Sequence, residues 1–323
     1  MKIAITWDYE LFFGEKSGTV HKCLINPTQK LLEISQNTNS KFTFFVDSGM
    51  LYFGEKEPAF QSEYQLIVDQ IKYWDNLNHE TGLHIHPHWE DALWNRGWKF
   101  NLERYKFKDF SDLEISRIFE LYDYSLKKIV DGKIVSYRAG GWCIQPFQKL
   151  KNSFLNSNLK NDSSVFPGGL NMKTPYEYDF SKHPNCEKWK FLDNECESNI
   201  EGLFTEIPIG SQIYSPFFFW KLFILGRLNP KQHKPIGDGF PAKGGGSKKE
   251  ILTKKNLLCV SADGYFVTKI EDAIRDAEAK KWNSLVIIGH PKACTRFSLN
   301  YLEKLISKLS LKHEFVCLRQ LAE

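Results

Sequence analysis

The chain has 323 residues with 42% hydrophobic and 25% charged side chains, the balance of a globular protein able to bury a full core. A net charge of +4, with basic and acidic residues interspersed, leaves no basic stripe and excludes a nucleic-acid reading. The longest apolar run, Phe217 to Leu225, is interrupted by Lys221 and is far short of a bilayer span, so no transmembrane helix is expected.

The opening Met-Lys-Ile-Ala-Ile-Thr-Trp-Asp reads as a strand over Lys2–Trp7 rather than an export leader, and a cytoplasmic location is expected. Seven widely spread cysteines with no CxxC pair suit free thiols in a reducing compartment. Asn26-Pro27 then starts a helix to about Asn37, Lys41–Val46 is a second strand, and Gln61–Asn76 has apolar residues at helical spacing. Thr81–Ile85 is a third strand. Ser111 and Glu114 form a capping box for a helix to about Val130, followed by a strand at Val135–Arg138, a helix at Gln145–Leu155 and a strand near Ser163–Phe166.

Beyond this the pattern loosens. Gly202–Ile209 and Leu257–Ser261 read as strands separated by an aromatic run, Tyr214–Leu225, and by a stretch rich in Gly, Pro and Lys over Asn229–Lys255. A connection of this length predicts a mobile lid or insertion at 211–255, with the aromatic run buried beneath it in preference to meeting a membrane or lipid carrier. Gly244-Gly245-Gly246-Ser247-Lys248 lacks the flanking spacing and preceding strand of a phosphate loop. The alternation then resumes with a helix at Lys269–Lys281, a strand at Ser284–Ile288, a helix at Leu299–Leu309 and a strand at Glu314–Leu318. This succession predicts an α/β fold of βα units around a parallel sheet, in one domain over residues 1–323.

Four of the nine histidines fall in His79-Glu-Thr-Gly-Leu-His-Ile-His-Pro-His88. Clustered imidazoles point to metal binding or proton transfer, with solvated strand-end histidines as the plain alternative. Reactive residues follow strand after strand: Asp8 and Glu10, His84 to His88, Arg138, Asp162 and His290. In barrels of βα units the loops after the strands meet on one face, so these residues are expected to share a site. Asp8 and Glu10, two apart, supply two carboxylates to one side of a strand end, and either is a candidate ligand or base. His84 pairs with His88 four residues on, or with His86 on the same strand face, while His79 is expected to anchor the turn. Two imidazoles and a carboxylate leave coordination positions open for catalysis. Asp8 and His290 are the candidate base and acid, Arg138 holds the base ionised, and backbone N–H groups at Gly140-Gly141-Trp142 are candidate oxyanion donors.

In this order the motifs resemble those of the polysaccharide deacetylase family, carbohydrate esterase family 4, over most of the chain. Thr6-Trp-Asp-Tyr-Glu10 is similar to the family's Thr-Phe-Asp-Asp motif, with the second carboxylate one position later and Tyr9 in its usual place. The histidine segment is similar to the second motif, Tyr137-Arg-Ala-Gly-Gly-Trp142 to Arg-x-Pro-Tyr with glycines replacing Pro-Tyr, Asp162-Ser-Ser-Val-Phe-Pro to a reduced fourth motif, and Ile288-Gly-His290 to Leu-x-His. The resemblance implies a distorted (β/α) barrel of about seven units. It implies a metal triad of Glu10, His84 and His88, with Zn²⁺ first and Co²⁺, Ni²⁺, Fe²⁺ or Mn²⁺ also suited. Asp8 would be the base, Arg138 its orienter and His290 the acid, with Gly141, Trp142 and Asp162 toward substrate.

The expected reaction is removal of an N-acyl group, acetyl above all, from an amino sugar in surface-polysaccharide biosynthesis. A nucleotide-linked or lipid-linked sugar is the expected partner, the latter leaving room for peripheral membrane contact. The competing expectations are an inactive carbohydrate-binding or assembly protein on the same fold and an amidase of small non-sugar amides.

Overall fold

The computed structural model describes residues 1–242 and 248–323. The glycine run at 244–247 weighed above as a phosphate loop lies outside the described residues. The central sheet has strands β1 (Lys2–Tyr9), β2 (Phe42–Asp47), β3 (Glu80–Ile85), β4 (Ser136–Ala139), β5 (Asn161–Asp162), β6 (Trp189–Phe191), β7 (Phe204–Glu206), β8 (Ser284–Gly289) and β9 (Glu314–Phe315). Their order is β6-β7-β5-β4-β3-β2-β1-β8, with β9 alongside the first residues of β1. All pairs are parallel except β6 with β7. The sheet is curled into a half-barrel of the expected α/β class. Between its outer strands, Gly210 N–H donates to the Val286 carbonyl at 2.9 Å, and Ile209 and Ser261 bridge singly to β8, so irregular backbone completes the wall.

The inner strands are buried along nearly their whole length, because the barrel interior covers one face and helices the other. This is why Leu-Val-Ile-Ile is an unbroken apolar run and Phe-Thr-Phe-Phe-Val is broken only by Thr43, rather than alternating with polar residues. Around the sheet lie α1 (Asn26–Thr38), α2 (Ser48–Lys56), α3 (Gln61–Asn76), α4 (Asp112–Lys127), α5 (Lys151–Asn156), α6 (Pro216–Leu228), α7 (Ile270–Ala279) and α8 (Arg296–Leu309). The capping box at α4 is present: the Ser111 hydroxyl accepts from Glu114 N–H, and the Glu114 carboxylate accepts from Ser111 N–H at 2.9 Å. All seven cysteines are free thiols.

Five readings change. Helix α2, rich in Gly and aromatic residues, was not expected, and the helix after β4 is confined to Lys151–Asn156. The expected strand at Ser163–Phe166 is two residues at Asn161–Asp162, after which the Ser163 and Ser164 hydroxyls bond across to neighbouring backbone and side chains. Leu257 belongs to an antiparallel hairpin, Ser211–Tyr214 with Asn256–Cys259, outside the barrel. The aromatic run becomes α6, which is not buried as expected: Phe218 and Phe219 pack on Tyr214, Tyr265 and Phe266, while its opposite side is exposed.

Candidate metal centre and catalytic face

Strand alternation builds the site. Along β1 the period of two sends Thr6, Asp8 and the following Glu10 to the inside, while Trp7 and Tyr9 pack outward beneath helices. Cross-strand register then sets Asp47 beside His84 and His84 beside Arg138. Alternation on β3 continues one step past its end, so His84 and His86 share a side. Pro87 starts a 3₁₀ turn, Pro87–Asp91, which carries His88 away from that row.

Among the described residues, Glu10, His84 and His86 are therefore the group able to hold a metal ion, with one ligand atom from each lying within 4.8 Å of the others. Glu10 Oε2 is 3.2 Å from His84 Nε2 and 2.6 Å from His86 Nε2. This corrects the expected triad, which had His88 in place of His86. His88 is buried with neither ring nitrogen hydrogen-bonded, stacked on Tyr105 and edge-on to Phe13, and burial pushes its pKa well down. It is packed as an aromatic wall.

The donor set fits a cation. His84 Nδ1 donates to the Arg138 carbonyl at 2.8 Å, which fixes the tautomer and turns the Nε2 lone pair toward Glu10. His86 Nδ1 is 3.3 Å from the Tyr105 hydroxyl, again leaving Nε2 toward Glu10. Two imidazole lone pairs facing one carboxylate oxygen repel unless a proton or a cation lies among them. Burial pushes the His86 pKa down to about 4, so this ring is neutral and available as a ligand. Burial opposes ionisation of Glu10, but Lys292, His86 and His84 together hold its carboxyl well below the usual range. Gly140 makes room for His86: a Cβ there would collide with the imidazole.

Asp8 lies beside this group. Its Oδ1 accepts from Arg138 Nη1 at 2.7 Å, and its Oδ2 is 3.8 Å from His290 Nε2. Arg138 is fully buried, and each of its three nitrogens is hydrogen-bonded: it donates also to Thr6 Oγ1, the Ser163 carbonyl and Ser163 Oγ, with Phe45 beneath its guanidinium at 4.2 Å. His290 donates from Nδ1 to Asp263 Oδ2 at 2.8 Å, and its backbone N–H donates to Asp263 Oδ1 at 2.7 Å. Burial would lower the His290 pKa, but Asp263, Asp8 and Glu10 outweigh it and raise the pKa to about 9. The imidazole is thus a charged proton donor whose Nε2 faces the two carboxylates.

Asp8, Glu10, His84, His86 and His290 line a cavity of about 210 Å³ with Gly141, Trp142, Tyr105 and Tyr176, while Arg138 and Asp263 hold Asp8 and His290 from behind it. The structure brings Asp8, Glu10, His84, Arg138, Gly141, Trp142 and His290 together as the sequence reading placed them. Asp162 is not among them. It is fully buried against Glu206, accepts from Ser164 Oγ at 2.6 Å, and burial raises the pKa of both carboxyls, so the pair stands in the barrel wall rather than toward substrate. Two participants went unread in sequence, Asp263 and Lys292, while His86 was read there as the alternative partner of His84. Lys292 Nζ donates to Glu10 Oε1 at 2.9 Å and to the Leu11 carbonyl at 2.6 Å. Asp263 was legible only as an acidic residue just past a predicted strand, and Lys292 only by standing two residues after His290.

No family model matches the chain, and no curated protein matches it. Solved structures do. Over 99% of its length the chain superposes on a protein from Mycobacterium smegmatis classed as a polysaccharide deacetylase, with TM-score 0.54, 13% identity and 88% of that chain covered. Puue allantoinase matches over 99% of this chain and 88% of its own, with TM-score 0.53 and 10% identity. The polysaccharide deacetylase resemblance read from the motifs is therefore matched in the fold.

Proposed function

We propose that the protein is a metal-dependent hydrolase that removes an N-acyl group, acetyl above all, from an amino sugar in a precursor of a surface polysaccharide. One observation carries this reading: the Glu10/His84/His86 triad adjoins Asp8 held by Arg138 and His290 held by Asp263, in a single cavity. A divalent ion held by the triad would act as a Lewis acid on the acyl carbonyl and lower the pKa of water. Two imidazoles and a carboxylate suit Zn²⁺ first, and also Co²⁺, Ni²⁺, Fe²⁺ or Mn²⁺.

The protein's own groups supply the proton transfers. Asp8, with one oxygen fixed by Arg138, has its second oxygen turned into the cavity to take a proton from the attacking water. His290, protonated and aligned by Asp263, gives a proton to the departing amine. Backbone N–H groups at Gly141 and Trp142, which line the same cavity, are the proposed oxyanion donors.

A second reading rests on Lys292. Its ammonium already neutralises Glu10, a partner that favours an inactive carbohydrate-binding protein over a metal enzyme. Elemental analysis of the purified chain beside His84→Ala, with amine release measured on a panel of N-acetylated nucleotide-linked and lipid-linked sugars and small amides, separates these readings. One metal per chain and amine release, both lost in the variant, support the hydrolase. Absence of metal together with sugar binding unchanged by chelator overturns it in favour of the binding protein.

A further inference from the structure

Helix α6, Pro-Phe-Phe-Phe-Trp-Lys-Leu-Phe-Ile-Leu-Gly-Arg-Leu, is apolar around most of its circumference, interrupted only by Lys221 and Arg227, a composition that ordinarily marks a helix enclosed by protein. Only one side is enclosed. Phe218, Phe219 and Leu222 face Tyr214, Tyr265 and Phe266, and Ile251 and Leu252 of the short helix Lys248–Thr253 complete that contact. On the other side Phe217 is 75% exposed, Trp220 51%, Ile224 49% and Leu228 80%. At 100° per residue these four fall in one longitudinal stripe, with Lys221 along one flank and Arg227 along the other. Such a contiguous apolar stripe on a protein surface marks an interaction site rather than ordinary scatter.

Charge identifies the occupant. Between Glu206 and Asp238 there is no acidic residue, while Lys221, Arg227, Lys231 and Lys234 are all present and exposed. The adjoining helix brings Lys248 and Lys249, followed by Lys254 and Lys255, against one carboxylate, Glu250, which pairs with Lys254 at 3.9 Å, and it is tied to α6 by Trp220 Nε1 donating to the Leu252 carbonyl at 3.1 Å. A second copy of the chain fits poorly, because two-fold pairing sets this surface against itself and places cation against cation. A lipid surface fits both features, with acyl chains taking the aromatic stripe and anionic headgroups taking the lysines and arginines. The helix is about 20 Å long at 1.5 Å per residue. No described helix is long and apolar enough to cross a membrane, so this one would lie along the surface.

We propose that α6, with its flanking lysines and arginines, docks the protein on the surface of a bilayer containing anionic phospholipid. The helix rests on Tyr265 and Phe266, two and three residues beyond Asp263, so the docked face and the partner of His290 share one support. Docking is independent of the metal site and is measured without turnover.

The test is co-sedimentation of the full chain with vesicles of phosphatidylcholine alone and of phosphatidylcholine with about one-third phosphatidylglycerol. Two paired variants, Phe217→Ser with Leu228→Ser and Lys221→Glu with Arg227→Glu, are compared after each is shown to keep the parent melting temperature. The parent is expected to bind the anionic vesicles at least about tenfold more tightly than the neutral ones, with weakening at high salt. Each paired variant is expected to lose about tenfold of that binding. Equal binding to both vesicle types, binding unchanged in both variants, or no binding overturns the proposal. A concentration-dependent dimer in sedimentation velocity that the Phe217→Ser, Leu228→Ser pair abolishes would instead make α6 a self-association surface and overturn it as well.

Discussion

At the ends of β1, β3 and β4, ionisable side chains lie almost wholly inside the protein, whereas on α6 four large apolar side chains lie outside it. Both reverse the usual partition of residue types, and for different reasons. Burying Asp8, Glu10, His84 and Arg138 costs solvation that only pairing recovers, and each of them has its partner: Asp8 with Arg138, and Glu10 with Lys292 and two imidazoles. On α6 the apolar sides of Phe217, Trp220, Ile224 and Leu228 stand exposed, although their neighbours on the same helix pack well. Internal order thus marks the first region as a site for chemistry, and incomplete cover marks the second as a site for association.

The comparison can be broken most sharply at His84. His84→Ala is expected to abolish metal binding and lower amine release by about 10³-fold or more, since several kcal/mol of transition-state stabilisation depend on the ion. His88→Ala, four residues on and just as buried, is expected to keep the metal and to lower thermal stability instead, because its ring is packed and unpaired. Metal lost from His88→Ala but kept in a His86→Ala variant would reverse the assignment of the triad. Asp8→Asn is expected to keep the metal while kcat falls about 10²- to 10³-fold, the usual loss of a general base. An unchanged kcat would remove Asp8 from the proton transfers.

A smaller effect tests whether burial alone, without metal, accounts for the rest of the histidine cluster. His79 accepts from Phe42 N–H at Nδ1 and donates from Nε2 to Ser35 Oγ, and burial lowers its pKa to about 4. Between about pH 6.5 and 4 the unfolded chain takes up a proton that the folded chain refuses, so stability falls as pH drops through that window. Denaturant melts are expected to show a loss of up to about 3 kcal/mol, unaffected by chelator and flattened in His79→Gln. The smallest effect belongs to α6. Phe217→Ser is expected to change folding stability by less than about 0.5 kcal/mol, because that side chain contributes little to the core. A loss of several kcal/mol would mean that the stripe is covered in the folded protein.

Much of this architecture was legible because it is local. Buried strands announce themselves as apolar runs, the α4 capping box as Ser-x-x-Glu, and the alternation of βα units as a barrel whose strand ends share one face. The site was legible in part for the same reason: Asp8, Glu10, His84, Arg138 and His290 each follow or end a strand. Asp162 satisfied the same rule and still points into the wall, because Glu206 from a distant strand stands beside it. The choice between His86 and His88 turned on how far β3 keeps its alternation before Pro87 turns the chain.

The sequence by itself determined the α/β class, the order of the elements and the face on which the reactive groups gather, since these follow from periodicities of two and 3.6 residues and from caps read within a few positions. Only the tertiary structure decided that Lys292 reaches Glu10, that Asp263 holds His290, that Asp162 is withdrawn, and that α6 leaves one apolar side uncovered. Those outcomes depend on which distant surfaces meet, and an isolated stretch of chain carries no record of its neighbours across the fold.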